Sequence, residues 1–209
     1  RRLAFEEIHS SGWWGRSGSG GGSSKHNTQE TAQRLVGFLG QVQPGGAASL
    51  LDVGCGWGEW VPEALQGALR SGQLRPNFRY RGLDIAWQPI QHLQSKFPED
   101  GVFTFGVADG VEDELPLGYA VVLVRHVFQH LNLRDAWSLL RNLWRARPDF
   151  VILSSWPGST NEDLENFGGS SAYAAMEPSN LREFMSYDLR KPPFNLPEPL
   201  AYWPEVTRG

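Results

Sequence analysis

The sequence is poor in cysteine, in long apolar runs and in positive charge, and each scarcity closes off a class of protein. One cysteine among 209 residues, Cys55, leaves no partner for an intramolecular disulfide. It sits inside a glycine-rich turn with no neighbouring base in sequence, which reads as a small residue packed under a loop rather than a reactive thiol. No apolar run approaches the length of a membrane-spanning helix, so no membrane partner is expected. The N-terminus lacks a signal-peptide pattern. It opens Arg1-Arg2 instead of with Met, as a processed or trimmed chain would, and the expected location is cytoplasmic or an organelle lumen. With 19 basic against 23 acidic residues the net charge is -4, which disfavours nucleic acid and points to a small-molecule acceptor; oligomeric state leaves no mark.

Tryptophan is what the chain has in quantity, with nine residues, several beside glycine or in expected loops. Ordinary core and lid packing accounts for most of them, although an aromatic ring near a bound sulfonium or amine is the functional alternative. A 209-residue chain that is 40% hydrophobic supports one sizeable core, so a single domain over 1–209 is expected.

The pattern centres on Ser49-Leu50-Leu51-Asp52-Val53-Gly54-Cys55-Gly56-Trp57-Gly58. A buried-type strand ends in an acid and breaks into glycine at every second position, so that a ligand can approach the backbone. Trp60, Val61, Ala64, Leu65 and Leu69 then fall at helical spacing. Further strands are expected at Tyr80 to Ile85, Gly101 to Val107, Tyr119 to Val124 and Phe150 to Ser154, with helices near Pro89 to Lys96 and Leu133 to Ala146. Ahead of them, Asn27 with Glu30 resembles a helix cap for a segment ending near Gly40. Alternation of this kind describes a doubly wound, Rossmann-like, mostly parallel α/β sheet, whose ligands bind at the carboxyl ends of the strands. Trp57, Asp84, Asp109, Arg125 and His126 should meet there.

The termini are less regular. Trp13-Trp14-Gly15-Arg16 precedes a Gly/Ser run, and composition alone reads residues 1–26 as ending in a flexible linker, with a lid over the pocket as the alternative. Residues 156–193 lose periodicity apart from a short helix expected near Ser179 to Met185, which suits a cap or acceptor insertion at the ligand face. Leu200 to Trp203 is a candidate last strand.

A dinucleotide site normally shows Gly-x-Gly-x-x-Gly, whereas here the third glycine comes one residue early and Asp52 precedes the first by two. An acid at the strand end suits a ligand bearing an ammonium group better than one presenting a pyrophosphate, which favours S-adenosylmethionine over a nicotinamide cofactor. Asp84 can accept from ribose hydroxyls, and Asp109 from an adenine amino group. His126 and His130, four apart, would share a face if helical, and a histidine can take a proton from an acceptor near neutral pH. The pair could also ligate a metal with Asn161, Glu162 or Asp163, but no stronger ligand pattern supports this and no metal is expected.

The glycine turn and the acids after it resemble the class I S-adenosylmethionine-dependent methyltransferases over about 49–154. A narrower resemblance, to a poorly characterised bacterial and algal group of these enzymes, rests on Trp14-Gly15, Ser17-Gly18-Ser19-Gly20, Arg125-His126 through His130-Leu131, Asn161-Glu162-Asp163 and Pro192-Pro193-Phe194-Asn195-Leu196-Pro197. The resemblance implies a class I methyltransferase fold and methyl transfer from S-adenosylmethionine to an oxygen or nitrogen of a small molecule. It turns the N-terminal Gly/Ser run into a cofactor lid. It implies Trp14, Ser19, Asp52, Gly54, Gly56, Trp57, Asp84, Ile85, Asp109, Gly110 and Arg125 at the cofactor, with His126, His130 and Arg125 at the reaction. Gly118-Tyr119 stands where the group has an acid, and His126 where it has Asp. A catalytically inactive cofactor-binding or partner protein and a nicotinamide-dependent oxidoreductase are the alternative functions.

Overall fold

The computed structural model describes residues 1–12, 21–97, 101–163 and 185–205. Its elements follow the expected alternation: α1 (Arg2–Ser11), α2 (Lys25–Gln41), β1 (Ser49–Val53), α3 (Val61–Arg70), β2 (Arg79–Asp84), α4 (Trp87–Lys96), β3 (Phe103–Val107), β4 (Val121–Val124), α5 (Leu133–Ala146) and β5 (Phe150–Leu153). All strand pairs are parallel, in the order β3-β2-β1-β4-β5. That order reverses direction beside β1, where an open parallel sheet forms its ligand crevice.

Every residue of β1 and β4 is buried, as a continuous apolar run covered on both faces requires. Alternate side chains divide between two layers. Leu50, Tyr80, Val121 and Leu123 face Leu35 and Leu39 of α2, Leu65 of α3, and Ile90 and Leu93 of α4. Leu51, Val53, Val122 and Val124 face Ala136, Leu139 and Leu143 of α5. The helices on both faces therefore come from the period-2 pattern of the strands meeting the 3.6-residue pattern of the helices.

Helix ends show where local chemistry outweighed the simplest motif. α5 begins as expected, with the Asn132 side chain accepting from the Asp135 N–H at 2.7 Å, and Asp163 adds a second acceptor at the Leu133 N–H. α2 starts a turn earlier than the Asn27 cap suggests: Ser24 is the cap, and its hydroxyl accepts from the Asn27 N–H. Leu200 to Trp203 forms no strand. Trp203 instead sets its ring against Phe38 of α2, 5.7 Å between centroids, and Leu200 is left exposed.

The Pro-Pro-Phe-Asn-Leu-Pro segment is held to the body by Asn161. Its amide donates to the carbonyls of Asp188 and Pro192 and accepts from the Asp188 N–H, all within 2.8 Å. Phe194 is buried against Tyr187. The described ends of the 156–193 insertion thus pack on the α5 layer, and the helix expected near 179–185 lies almost wholly outside the described residues.

Two buried polar groups make hydrogen bonds between elements far apart in the chain. Asn142 of α5 points toward the loop after β3 and donates to the carbonyls of Gly110 (3.0 Å), Val111 (3.0 Å) and Asp113 (3.2 Å). Asp52 of β1 accepts a 2.9 Å hydrogen bond from the buried Tyr80 hydroxyl of β2. Burial pushes the Asp52 carboxyl up to about 7, with the nearby Asp84 adding to the shift and Tyr80 and Arg125 opposing it.

Removing the Asn142 amide strands those carbonyls, so Asn142→Ala should lower stability by about 1–3 kcal/mol in urea unfolding. Unfolded, Asp52 titrates near the ordinary aspartate value, about 3.9. The folded chain therefore retains this proton to higher pH than the unfolded chain, and the associated stabilisation is full below about pH 4 and lost as pH rises through about 7. Asp52→Asn removes that dependence. Relative to wild type, the unfolding free energy of the variant should rise by on the order of 3 kcal/mol from acid to mildly basic pH, measured by urea titrations across that range; equal slopes in the two proteins would refute it.

Candidate functional site

The tips of five parallel strands lie on one edge of the sheet, and the turn after β1 is built across it. Gly54 has φ 82° and Gly56 φ 52°, a region that L side chains enter only with strain. Gly54 has a second reason to be glycine, since a Cβ there would come within 2.3 Å of the Val127 side chain. The N–H groups of Gly54 and Cys55 donate to the Leu83 carbonyl at 2.8 and 3.0 Å, and that of Gly58 to the Cys55 carbonyl. The Gly56 N–H donates to the Asp84 carboxylate at 2.8 Å. Burial and the neighbouring Asp84 and Asp52 push the Cys55 thiol well above its ordinary range, so it stays protonated and packs as a small residue.

Asp84 ends β2 and is buried. One carboxylate oxygen accepts from Gly56 and the other from the Ala86 N–H at 3.0 Å. Burial raises its pKa, opposed by the Ala86 hydrogen bond, the charge of His9 and the Gly56 and Ile85 backbone. Ile85 follows it, half-buried. Asp109, beyond β3, accepts from the Val111 N–H at 3.0 Å and from the Arg1 guanidinium at 2.9–3.3 Å. Arg1 reaches Asp135 and Glu112 as well. Gly110 is packed so closely that a Cβ would meet Val53 at 2.9 Å and Leu139 at 3.1 Å.

α1 lies along this same edge, and the sequence pattern showed only a short apolar-faced segment there. The Trp57 indole donates to His9 Nδ1 at 3.0 Å, Gln88 donates to the Glu6 carbonyl, and Phe5 sets its ring edge-on to His130. A surface depression lined among others by Gly40, Leu69, Arg70 and Pro76 opens at the opposite edge of the sheet. Trp14 and Ser19 lie outside the described residues.

At the tip of β4 the chain does not continue as an α-helix. His126 has φ 57°, and only a short 3-10 turn, Phe128–His130, precedes α5. The shared helical face expected for His126 and His130 therefore does not form. His130 is beside Phe5, while His126 packs its ring on Trp156, 5.6 Å between centroids, and donates its backbone N–H to the Ser154 hydroxyl. Asn161 is spent on the 188–192 loop and Asp163 caps α5, so neither converges with the histidines. Among the described residues no group of three His, Cys, Asp or Glu is placed to hold a metal, and no helix is long and apolar enough to cross a membrane.

Arg125 is largely buried and makes four side-chain hydrogen bonds. It donates to both oxygens of Glu205, to the Ser23 hydroxyl and to the Gly22 carbonyl, and its guanidinium lies 5.5 Å from the centre of the Trp60 ring. Glu205 also accepts from His126 Nε2 at 3.2 Å. Neither Glu205 nor Asn142 stands out in the sequence, since a lone acid in a proline-rich tail and an asparagine inside a helix carry no motif. For Asn142 the signal is a polar residue interrupting the apolar face of α5.

No family model matches the sequence, and no curated protein matches it. Among solved structures, magnesium protoporphyrin IX methyltransferase from Synechocystis with bound SAH aligns at TM-score 0.52 and 19% identity, over 78% of this chain and 68% of that one. An amino pentose methyltransferase from Micromonospora echinaspora aligns at TM-score 0.45 and 17% identity, covering 63% of this chain and 50% of that one. Mitomycin 7-O-methyltransferase aligns at 0.46 and 22%, covering 62% and 37%. At such identities the likeness is one of fold. With its five parallel strands in the order β3-β2-β1-β4-β5 and helices on both faces, the chain has the Rossmann-like class I methyltransferase fold.

Proposed function

We propose that the protein is an S-adenosylmethionine-dependent methyltransferase acting on an oxygen or nitrogen of a small-molecule acceptor. The observation that carries this reading is the row of acids. Asp109, Asp84 and Asp52 stand at or near the ends of β3, β2 and β1, which are consecutive in the sheet. Strands about 4.8 Å apart spread three such groups over roughly 10 Å, a span suited to an adenosyl group and its amino-acid tail.

The donor set fits that ligand. Asp84 is held by backbone N–H groups on both of its oxygens, and a carboxylate, with about four lone-pair sites, has capacity beyond these for a ribose hydroxyl. Asp52 and the Gly54–Gly56 turn, beside Trp57, are proposed to hold the amino-acid end. An ammonium arriving next to Asp52 would draw its carboxyl, now at about 7, back into the charged form. Asp109 with Gly110 is assigned the adenine end, which requires Arg1 to release the Asp109 carboxylate it holds here; Ile85 is assigned the ribose side, with α1 as a cover. Trp14 and Ser19 are assigned to the N-terminal lid on the resemblance of their segment alone.

The same turn argues against a nicotinamide dinucleotide. A pyrophosphate is held by free backbone N–H groups, and those of Gly54, Cys55, Gly56 and Gly58 already have acceptors within the protein.

When bound, S-adenosylmethionine supplies a sulfonium methyl group whose S–C bond breaks with its electron pair staying on sulfur as the acceptor's lone pair forms the new bond. The chain's part is to orient the acceptor and exclude water, work suited to Trp156 and the segments crossing the strand tips. His126 is the proposed proton acceptor, and Arg125 holds the framework around it. His130, next to Phe5, is assigned to the wall of the site.

Calorimetry should show binding of S-adenosylmethionine by the wild type and a loss of about 100-fold or more in Asp84→Ala, the size expected when hydrogen bonding to a carboxylate goes. Normal binding by that variant would overturn the pocket assignment. His126→Ala should bind the cofactor as wild type does, while S-adenosylhomocysteine formation with a cell-metabolite extract falls by about 100-fold. Binding without any turnover by the wild type would instead favour an inactive cofactor-binding protein.

A further inference from the structure

The cluster at the tip of β4 has an acid that no motif announced, one whose side chain keeps part of its surface in solvent. Glu205 is far from Arg125 in sequence, yet its carboxylate is bound from four directions. One oxygen accepts from Arg125 Nε at 2.9 Å and from the Thr31 hydroxyl at 3.1 Å. The other accepts from Arg125 Nη2 at 3.1 Å and lies 3.2 Å from His126 Nε2. A carboxylate offers about four lone-pair sites, so this one is fully committed. The paired contacts to Arg125 set the plane of the carboxylate. Arg125 is itself fixed by Gly22, Ser23 and the Trp60 ring.

We infer that Glu205 is the positioning residue for His126, holding the imidazole with its hydrogen on Nε2 and its lone pair on Nδ1, so that Nδ1 is the atom that takes the acceptor's proton. The inference rests on the methyl-transfer reading above. Burial would raise the Glu205 carboxyl, but hydrogen bonds from His126 and Arg125 and their charges outweigh it and hold the group at about 2. An ionised carboxylate can only accept, so the ring nitrogen facing it must carry the hydrogen. In the neutral ring the lone pair then lies on Nδ1, which has no hydrogen-bond partner among the described residues. Trp156 against the ring and Ser154 on the backbone N–H restrain the other degrees of freedom. In the proton-transfer step the acceptor's O–H or N–H bond breaks, its electron pair stays on the acceptor atom, and the Nδ1 lone pair forms the new N–H bond. The resulting imidazolium charge faces Glu205.

The test reads the nucleophilicity of His126 directly. Diethyl pyrocarbonate acylates neutral imidazole nitrogen, and peptide mass mapping follows each histidine separately, with the exposed His26 as internal reference. At alkaline pH on the plateau of the rate profile, where the imidazole is neutral in both proteins, acylation of His126 should be about tenfold or more slower in Glu205→Gln than in wild type, the size of a charged hydrogen bond, while His26 is unchanged. Turnover should fall in the same variant with the KM for S-adenosylmethionine unaltered. Equal His126 rates in wild type and folded Glu205→Gln would overturn the inference. If Glu205→Gln does not fold, Glu205→Asp takes its place: it keeps a charge for Arg125 but draws the carboxylate back from the ring, and the same slowing is expected. Failure of the wild type to bind S-adenosylmethionine in calorimetry would refute the methyl-transfer reading and leave the acylation result to stand by itself.

Discussion

The turn after β1 is held in place by the end of β2, and the rest of the ligand edge is built on that attachment. Leu83 receives two turn N–H groups through its carbonyl, and Asp84 receives a third through its side chain. These bonds satisfy backbone donors that burial would otherwise leave costly. They also fix the orientation of the Asp84 carboxylate, so the element that closes the turn is the one proposed to hold the ribose. A parallel sheet makes this possible because every strand ends on the same edge. Residues distant in sequence then stand one strand spacing apart.

Around that edge the protein uses buried charge sparingly. Asp52 is relieved by Tyr80 and by remaining protonated well above the ordinary aspartate range. Arg125 and Glu205 neutralise each other in bidentate geometry, and each has further hydrogen bonds to complete its shell. Arg125 is buried while Glu205 keeps part of its side chain in solvent, and a pair of this kind contributes less to stability than to fixing one arrangement of its neighbours. Here the neighbours are the segment before α2, the tip of β4 and the C-terminal tail. The three are brought together at a histidine whose backbone is itself held in the left-handed region.

Much of the fold was legible because it follows from local periodicity. The apolar runs of β1 and β4 and the helical spacing of α3 and α5 each carry their own signal within a few residues. The Ser24 cap was harder to see, because Asn27 followed by Glu30 is an equally good motif one turn later and only the packing of α2 decides between them. The pairing of His126 with His130 failed for a similar reason: spacing of four implies a shared face only in an α-helix, and the chain here leaves β4 through a positive φ and a 3-10 turn.

Local pattern was enough for the class of fold, the glycine turn after β1 and the acids at three strand ends, because periodicity and glycine chemistry act over short stretches of chain. Tertiary structure alone decided what those acids touch: Tyr80 on Asp52, backbone N–H groups on Asp84, Arg1 on Asp109. It also decided that Asn161 locks the proline-rich segment and that Glu205 reaches Arg125 and His126. Such contacts join residues far apart in the chain, and their geometry exists only after the sheet has set the strand tips side by side.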